Sequence, residues 1–143
     1  MAKQIYYEDV EVGMELPTMV KHPTTRQLVK WAGASGDYME LHYDKDVALK
    51  AGLPGVIVHG QLTSSFLGQL IMDWMGEEGD LRKFECNWKR MHFPGEDIIC
   101  KGKVADKRVE GNDHLVECEL WSENPKGDVC APHKAVVALP SKG

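Results

Sequence analysis

Apolar side chains recur at helical spacing in one long stretch. Leu62, Phe66, Leu67, Leu70, Ile71, Trp74 and Met75 stand three, four and five positions apart, which predicts a helix with one broad apolar face. Gly60 opens it and Gly76 ends it, and this helix should form the core. Upstream the signals are shorter. Residues 15–21 read as a short strand that ends the entry segment, with Gly13 and Pro17 bracketing its start. Thr24-Thr25-Arg26-Gln27 fits a capping box, and the helix it starts carries Leu28, Val29, Trp31 and Ala32 before stopping within Gly33 to Gly36. Residues 37–43 are too polar and too punctuated for a regular element. Asp44 then caps a short helix over Lys45–Lys50 that ends at Gly52. Pro54-Gly55 turns the chain into Val56-Ile57-Val58.

Beyond Gly79 the period changes from about 3.6 to 2. Phe84, Cys86 and Trp88 alternate with polar residues, while Met91 and Phe93 fall on the opposite parity. That slip predicts a β-bulge near Lys89-Arg90. Ile98, Cys100, Gly102 and Val104 make the next apolar face, then Val116, Cys118 and Leu120. Val129, Ala131, Ala135, Val137 and Leu139 make the last. One early strand, a long helix and four late strands imply an α+β domain, a curved antiparallel sheet wrapped on one helix.

Composition narrows the class. The 143 residues read as a single domain, 1–143, long enough for one core. A net charge of −5, from 22 acidic and 17 basic residues, gives no reason to expect nucleic acid. The N-terminus lacks the pattern of a signal peptide and no apolar run approaches the roughly 20 residues of a membrane helix. A cytoplasmic protein without membrane partners is the expectation. Cys86, Cys100, Cys118 and Cys130 show no C-x-x-C and lie singly in apolar patterns, so they read as free thiols.

The candidate chemistry lies just before the long helix. Asp37 and His42 stand five residues apart, and His59-Gly60 follows seventeen residues after His42. A carboxylate and an imidazole can exchange protons, and a helix that begins at glycine leaves backbone N–H groups free to meet a developing negative charge. An acid, a base and an oxyanion site together suit an enzyme that moves protons beside a carbonyl. Each residue also has a plainer reading: Asp37 as an Asx-turn residue, His42 as a satisfied structural histidine, His59 as the end of a buried strand. Ser64 and Ser65 read as the polar side of the helix, with Thr63 near its first turn.

The strings Ser35-Gly36-Asp37, Leu41-His42, Ala48 and Val58-His59-Gly60, with the opening Tyr7-Glu8-Asp9-Val10-Glu11-Val12-Gly13 and the turn Pro94-Gly95-Glu96-Asp97, resemble the MaoC-like (R)-specific enoyl-CoA hydratases of the hot-dog fold. The resemblance implies that Asp37 and His42 are the catalytic pair and that the Gly60 N–H is the oxyanion donor. It also implies a 2-enoyl or (R)-3-hydroxyacyl thioester of CoA or acyl carrier protein as substrate, with CoA or phosphopantetheine as part of that substrate and no separate cofactor. It implies a homodimer or higher homo-oligomer as well. Where the family usually has Asn-Pro between the pair, this chain has Met39-Glu40, which predicts an altered acyl pocket with Met39 at its border. His59, Thr63 and Arg90 are further candidates for substrate contact. A hot-dog thioesterase and a subunit of a hetero-oligomeric dehydratase remain the alternatives.

Two other arrangements carry less. His22, His92, His114 and His133 are scattered without metal-ligand spacing, so no metal is expected. Lys89, Arg90, Lys101 and Lys103 read as a basic group on two neighbouring strands, either a solvated face or a place for a phosphate.

Overall fold

Alternating side chains from residue 98 onward build the sheet that holds the rest. In the computed structural model, which describes residues 3–143, β3 (Ile98–Glu110), β4 (Asp113–Glu123) and β5 (Val129–Ala138) are consecutive antiparallel neighbours. β1 (Met19–Lys21) lies beside β3 and β2 (Asp80–Glu85) beside β5, giving the order β1-β3-β4-β5-β2. Helix α3 (Gly60–Met75) lies against the inner face. Leu62, Phe66, Leu67, Leu70, Ile71 and Met75 meet Ile98, Cys100, Val104, Val116, Cys118, Leu120, Ala131, Ala135 and Val137 in one buried cluster. Each large aliphatic side chain removed from water in this way contributes roughly 1.5–3 kcal/mol. The expected α+β architecture, a curled antiparallel sheet around one long helix, is the one observed.

Gly102 shows how tightly the sheet folds on itself. A Cβ there would lie 2.7 Å from Leu120 Cδ2 and 3.2 Å from Leu16 Cδ2, so a larger residue would have to displace both leucines where the segment before β1 closes over β3. The Leu16 N–H donates to the Gly102 carbonyl at 2.8 Å. All four cysteines are free, and burial pushes the Cys100 and Cys118 thiols up to about 12.

The departures from the sequence reading occur where backbone hydrogen bonding is irregular. The strand expected over 15–21 pairs regularly only at Met19–Lys21, with Glu15 making a single bridge to Lys103. Pro17, lacking an N–H, sits in the gap. Residues 86–93 leave the sheet after β2; of the apolar set expected there Trp88 and Met91 are exposed, while His92, on the other parity, is buried. The slip expected near Lys89-Arg90 takes another form: both N–H groups converge on the Cys130 carbonyl, at 2.7 and 3.0 Å. Cys130 is itself the extra residue where the β4–β5 register shifts, which turns it inward and leaves Val129 exposed. Residues 56–59 form no strand. Their N–H groups go to loops instead, Ile57 to the Leu41 carbonyl at 3.0 Å and Val58 to the His92 carbonyl at 2.9 Å.

Candidate active site

Two helix signals place Asp37. The Thr24 hydroxyl accepts the Gln27 N–H at 3.2 Å and starts helix α1 (Thr25–Ser35). Gly36 ends it with φ at 78°, a left-handed conformation that favours glycine. The chain emerges into a turn held by Asp37 itself, whose Oδ1 accepts the Met39 N–H at 3.3 Å while its own N–H donates to the Ser35 hydroxyl at 3.2 Å. The Asx-turn reading is therefore correct, and it occupies one carboxylate oxygen only. Oδ2 points the other way, toward His42.

His42 closes a 3-10 turn (Glu40–His42) and is followed by helix α2 (Lys45–Lys50), capped by the Asp44 carboxylate on the Asp46 and Val47 N–H groups. Its ring is buried, and Nδ1 lies 2.8 Å from the Ile57 carbonyl. A carbonyl can only accept, so Nδ1 carries a proton, and in the neutral form of the ring Nε2 is the nitrogen left with a lone pair. That nitrogen stands 3.8 Å from Asp37 Oδ2. The gap exceeds a hydrogen bond, and two acceptors facing each other across it call for a donor between them. The Asp37 side chain is 41% exposed against 8% for His42, so the pair opens toward solvent on the carboxylate side.

His59 lies beneath this pair. It is fully buried and its ring stacks on that of His42, with centroids 3.8 Å apart and planes 21° from parallel. Its Nε2–H donates to the Asp37 backbone carbonyl at 3.3 Å, and among the described residues its Nδ1 has no partner. Burial, followed by the neighbouring His42, holds the ring below the ordinary histidine range. His59 has no exposed surface, and its ring contacts are with His42 and the Asp37 backbone.

Gly60 follows as the first residue of α3, and no acceptor among the described residues meets its N–H. Its carbonyl accepts the Trp88 indole N–H at 2.9 Å, and a Cβ on Gly60 would come within 3.0 Å of that nitrogen. Trp88 was legible in the sequence only as one member of an alternating strand; nothing local signals that its ring covers a helix terminus. Thr63 is buried with its hydroxyl turned back to the His59 carbonyl at 3.5 Å. Ser64 is buried rather than on the polar side, and it shares a 2.7 Å hydrogen bond with His133 Nε2.

Met39, Tyr38 and Tyr43 are exposed around the pair, and Glu40 is exposed as well. Arg90 lines a surface cleft with Lys89, Met91, Phe93 and Lys126 whose walls include neither Asp37 nor His42. The expected basic group is not one face. Lys101 and Lys103, both on β3, reach Glu123 and Glu119 on β4, while Lys89 and Arg90 have left the sheet.

Asp37, His42 and His59 bring ligand atoms within 4.8 Å of one another, the number a three-ligand cation site needs. Their geometry does not suit an ion. A metal lies near the plane of each imidazole that binds it, about 2.0–2.1 Å from the nitrogen, and two stacked, near-parallel rings share no such point. Among the described residues no helix is long and apolar enough to cross a membrane.

The profile of the MaoC like domain matches residues 9–123. The chain belongs to the MaoC-like domain family. Among relatives, it is 26% identical over 111 residues to the fatty acid synthase beta subunit pkiC of Emericella nidulans, an alignment spanning 67% of this chain and 6% of that protein. The structure superposes on the (R)-hydratase PhaJ1 of Pseudomonas aeruginosa, unliganded, with a TM-score of 0.87 at 21% identity, covering 97% and 88% of the two chains. It superposes on the ChsH1–ChsH2 complex of Mycobacterium tuberculosis with a TM-score of 0.80 at 18% identity, covering 90% and 98%. The MaoC-like chain thus has the hot-dog fold.

Proposed function

We propose that this MaoC-like chain adds water to a 2-enoyl thioester, or removes it from the (R)-3-hydroxyacyl thioester, with Asp37 and His42 as its acid–base unit. The observation that carries the reading is the pair of acceptors, Asp37 Oδ2 and the lone pair of His42 Nε2, facing each other across 3.8 Å. Water has the two donors that such a gap takes. In the hydration direction the water oxygen bonds to C3 while one of its protons passes to the pair, and the C2=C3 π electrons shift onto the thioester oxygen. The enolate then collapses and C2 takes a proton from the pair. The Gly60 N–H, at the positive end of α3, holds the enolate oxygen, a contact of the kind worth about 3–4 kcal/mol in a transition state. The reaction needs no group beyond the CoA or phosphopantetheine arm of the substrate.

The acyl chain borders Met39, a flexible apolar side chain suited to irregular space. The working unit is a dimer, of two copies or with a related chain, that covers the exposed Tyr38, Met39 and Tyr43. The ChsH1–ChsH2 complex, in which a chain of this fold is found with another chain, supports the second statement.

The test is enoyl absorbance on a crotonyl-to-dodecenoyl CoA series, run beside free-thiol release. Absorbance change without thiol release is expected, and Asp37→Asn and His42→Gln should each lower it about 10²- to 10⁴-fold in folded protein. Thiol release from saturated acyl-CoA would instead establish a thioesterase. Retention of turnover in either variant would remove that residue from the unit, a monomer by light scattering with full activity would refute the dimer, and an unchanged chain-length preference in Met39→Asn would remove Met39 from the pocket.

A further inference from the structure

His59 is the one buried titratable group at the site with no part in the proton transfers, and its contacts are specific. Two neighbours are the two members of the acid–base unit: the ring lies flat on His42 at 3.8 Å, and its N–H holds the Asp37 carbonyl at 3.3 Å. Among the described residues no other group bonds to the ring, and Nδ1 is buried without a partner. An orphaned buried nitrogen costs about 1–3 kcal/mol, so an apolar ring of similar shape would stabilise this position. A residue kept for packing alone would not be histidine. The backbone adds a further link, because His59 is adjacent to Gly60 and its own carbonyl accepts from Thr63 in the first turn of α3.

We propose that His59 is a positioning residue, a single ring that sets the separation of Asp37 from His42 and ties that pair to the Gly60 peptide. The inference rests on the reading of Asp37 and His42 as the acid–base unit. Asp37 sits on a turn whose carboxylate is two-fifths exposed, so its backbone needs an anchor if Oδ2 is to stay opposite Nε2. The His59 N–H supplies that anchor. His42 rotates least when one ring face is covered, and the stack covers it. Misplacement by about 1 Å costs on the order of 100-fold in rate, which sets the scale of the effect.

Two variants separate the two contacts: His59→Phe keeps a stacking ring and loses the donor, and His59→Gln keeps an N–H and loses the stack. On the enoyl-CoA of the series that the wild type hydrates fastest, each should lower kcat about 10- to 100-fold with KM within about twofold of the wild type. His59→Phe should melt no lower than the wild type, because it removes the orphaned nitrogen. The decisive readout is non-additivity, expected of residues that act as a unit. Against Asp37→Asn, whose carboxylate is no longer there to be placed, His59→Phe should cost less than about threefold. Wild-type kcat in either variant overturns the proposal, as does an equal fractional loss in both backgrounds or a loss confined to KM. Should Asp37→Asn itself hydrate at the wild-type rate, the acid–base reading falls and takes the positioning role with it; the other failures leave that reading intact.

Discussion

Acid should unfold this protein through His92, and the structure sets the size of the effect. His92 is 4% exposed, its Nε2 shares a 2.8 Å hydrogen bond with the fully buried Ser122 hydroxyl, and desolvation pulls its pKa down from 6.5 to about 4. In the unfolded chain the ring titrates near 6.5. Between those values the unfolded state binds a proton that the folded state refuses, so stability rises with pH across the window and falls as pH drops through it. The contribution is complete above about pH 6.5, and about 3 kcal/mol is lost by pH 4. His59 and His133, also held below the ordinary range chiefly by burial, act in the same direction. The measurement is urea denaturation at a series of pH values from 7 to 4, on the wild type and on His92→Gln, whose side-chain amide can still meet Ser122. The two proteins should be close at pH 7, and the wild type should lose about 3 kcal/mol more on the way down. Parallel curves would show that His92 does not carry the titration. The backbone carbonyl of residue 92, which the substitution keeps, holds the Val58 N–H at 2.9 Å, one residue before His59.

Two glycines give sharper steric tests. Gly60→Ala would put a Cβ 3.0 Å from Trp88 Nε1 and 3.1 Å from its Cδ1. The half-exposed indole should swing out and lose its bond to the Gly60 carbonyl, seen as a shift in tryptophan emission and a fall in kcat with little loss of stability; unchanged emission would mean that the ring does not cover this terminus. Gly102→Ala meets Leu120 at 2.7 Å and the Glu119 carbonyl at 3.3 Å, and should destabilise by about 1–3 kcal/mol as overpacked cores do; an unshifted melting temperature would contradict the close approach.

The fold was legible wherever a period persists. Seven apolar residues at helical spacing located α3 with both glycine boundaries, and the alternation after residue 98 located β3, β4 and most of β5. What could not be read is where the period breaks through long-range bonding. Lys89 and Arg90 show a parity slip, but only the structure reveals that both N–H groups go to one carbonyl forty positions on. The site divides the same way. Asp37, His42 and Gly60 stood out by residue type and spacing. The Ile57 carbonyl that fixes the His42 tautomer and the Trp88 ring over Gly60 are tertiary contacts without a local mark. His59 stood out, but its role did not, because a histidine before a helix looks the same whether it meets a ligand or another histidine.

Asp37 resolves what seemed a choice between a structural and a chemical residue. Aspartate has two oxygens, and the turn uses Oδ1 to hold the Met39 N–H. That bond fixes the side-chain rotation and thereby aims Oδ2 at His42. The same economy holds one turn later: the Leu41 carbonyl accepts from Ile57 N–H, and the Ile57 carbonyl accepts from His42 Nδ1, so the bonds that join residues 37–43 to residues 56–59 also select the tautomer. Met39-Glu40 in place of Asn-Pro leaves this network intact, since the bond to Asp37 Oδ1 comes from the backbone N–H of residue 39, which asparagine also has, and the Met39 side chain is exposed. The departure from the family pattern therefore falls on exposed residues beside Asp37 and His42, and not on the placement of those two side chains.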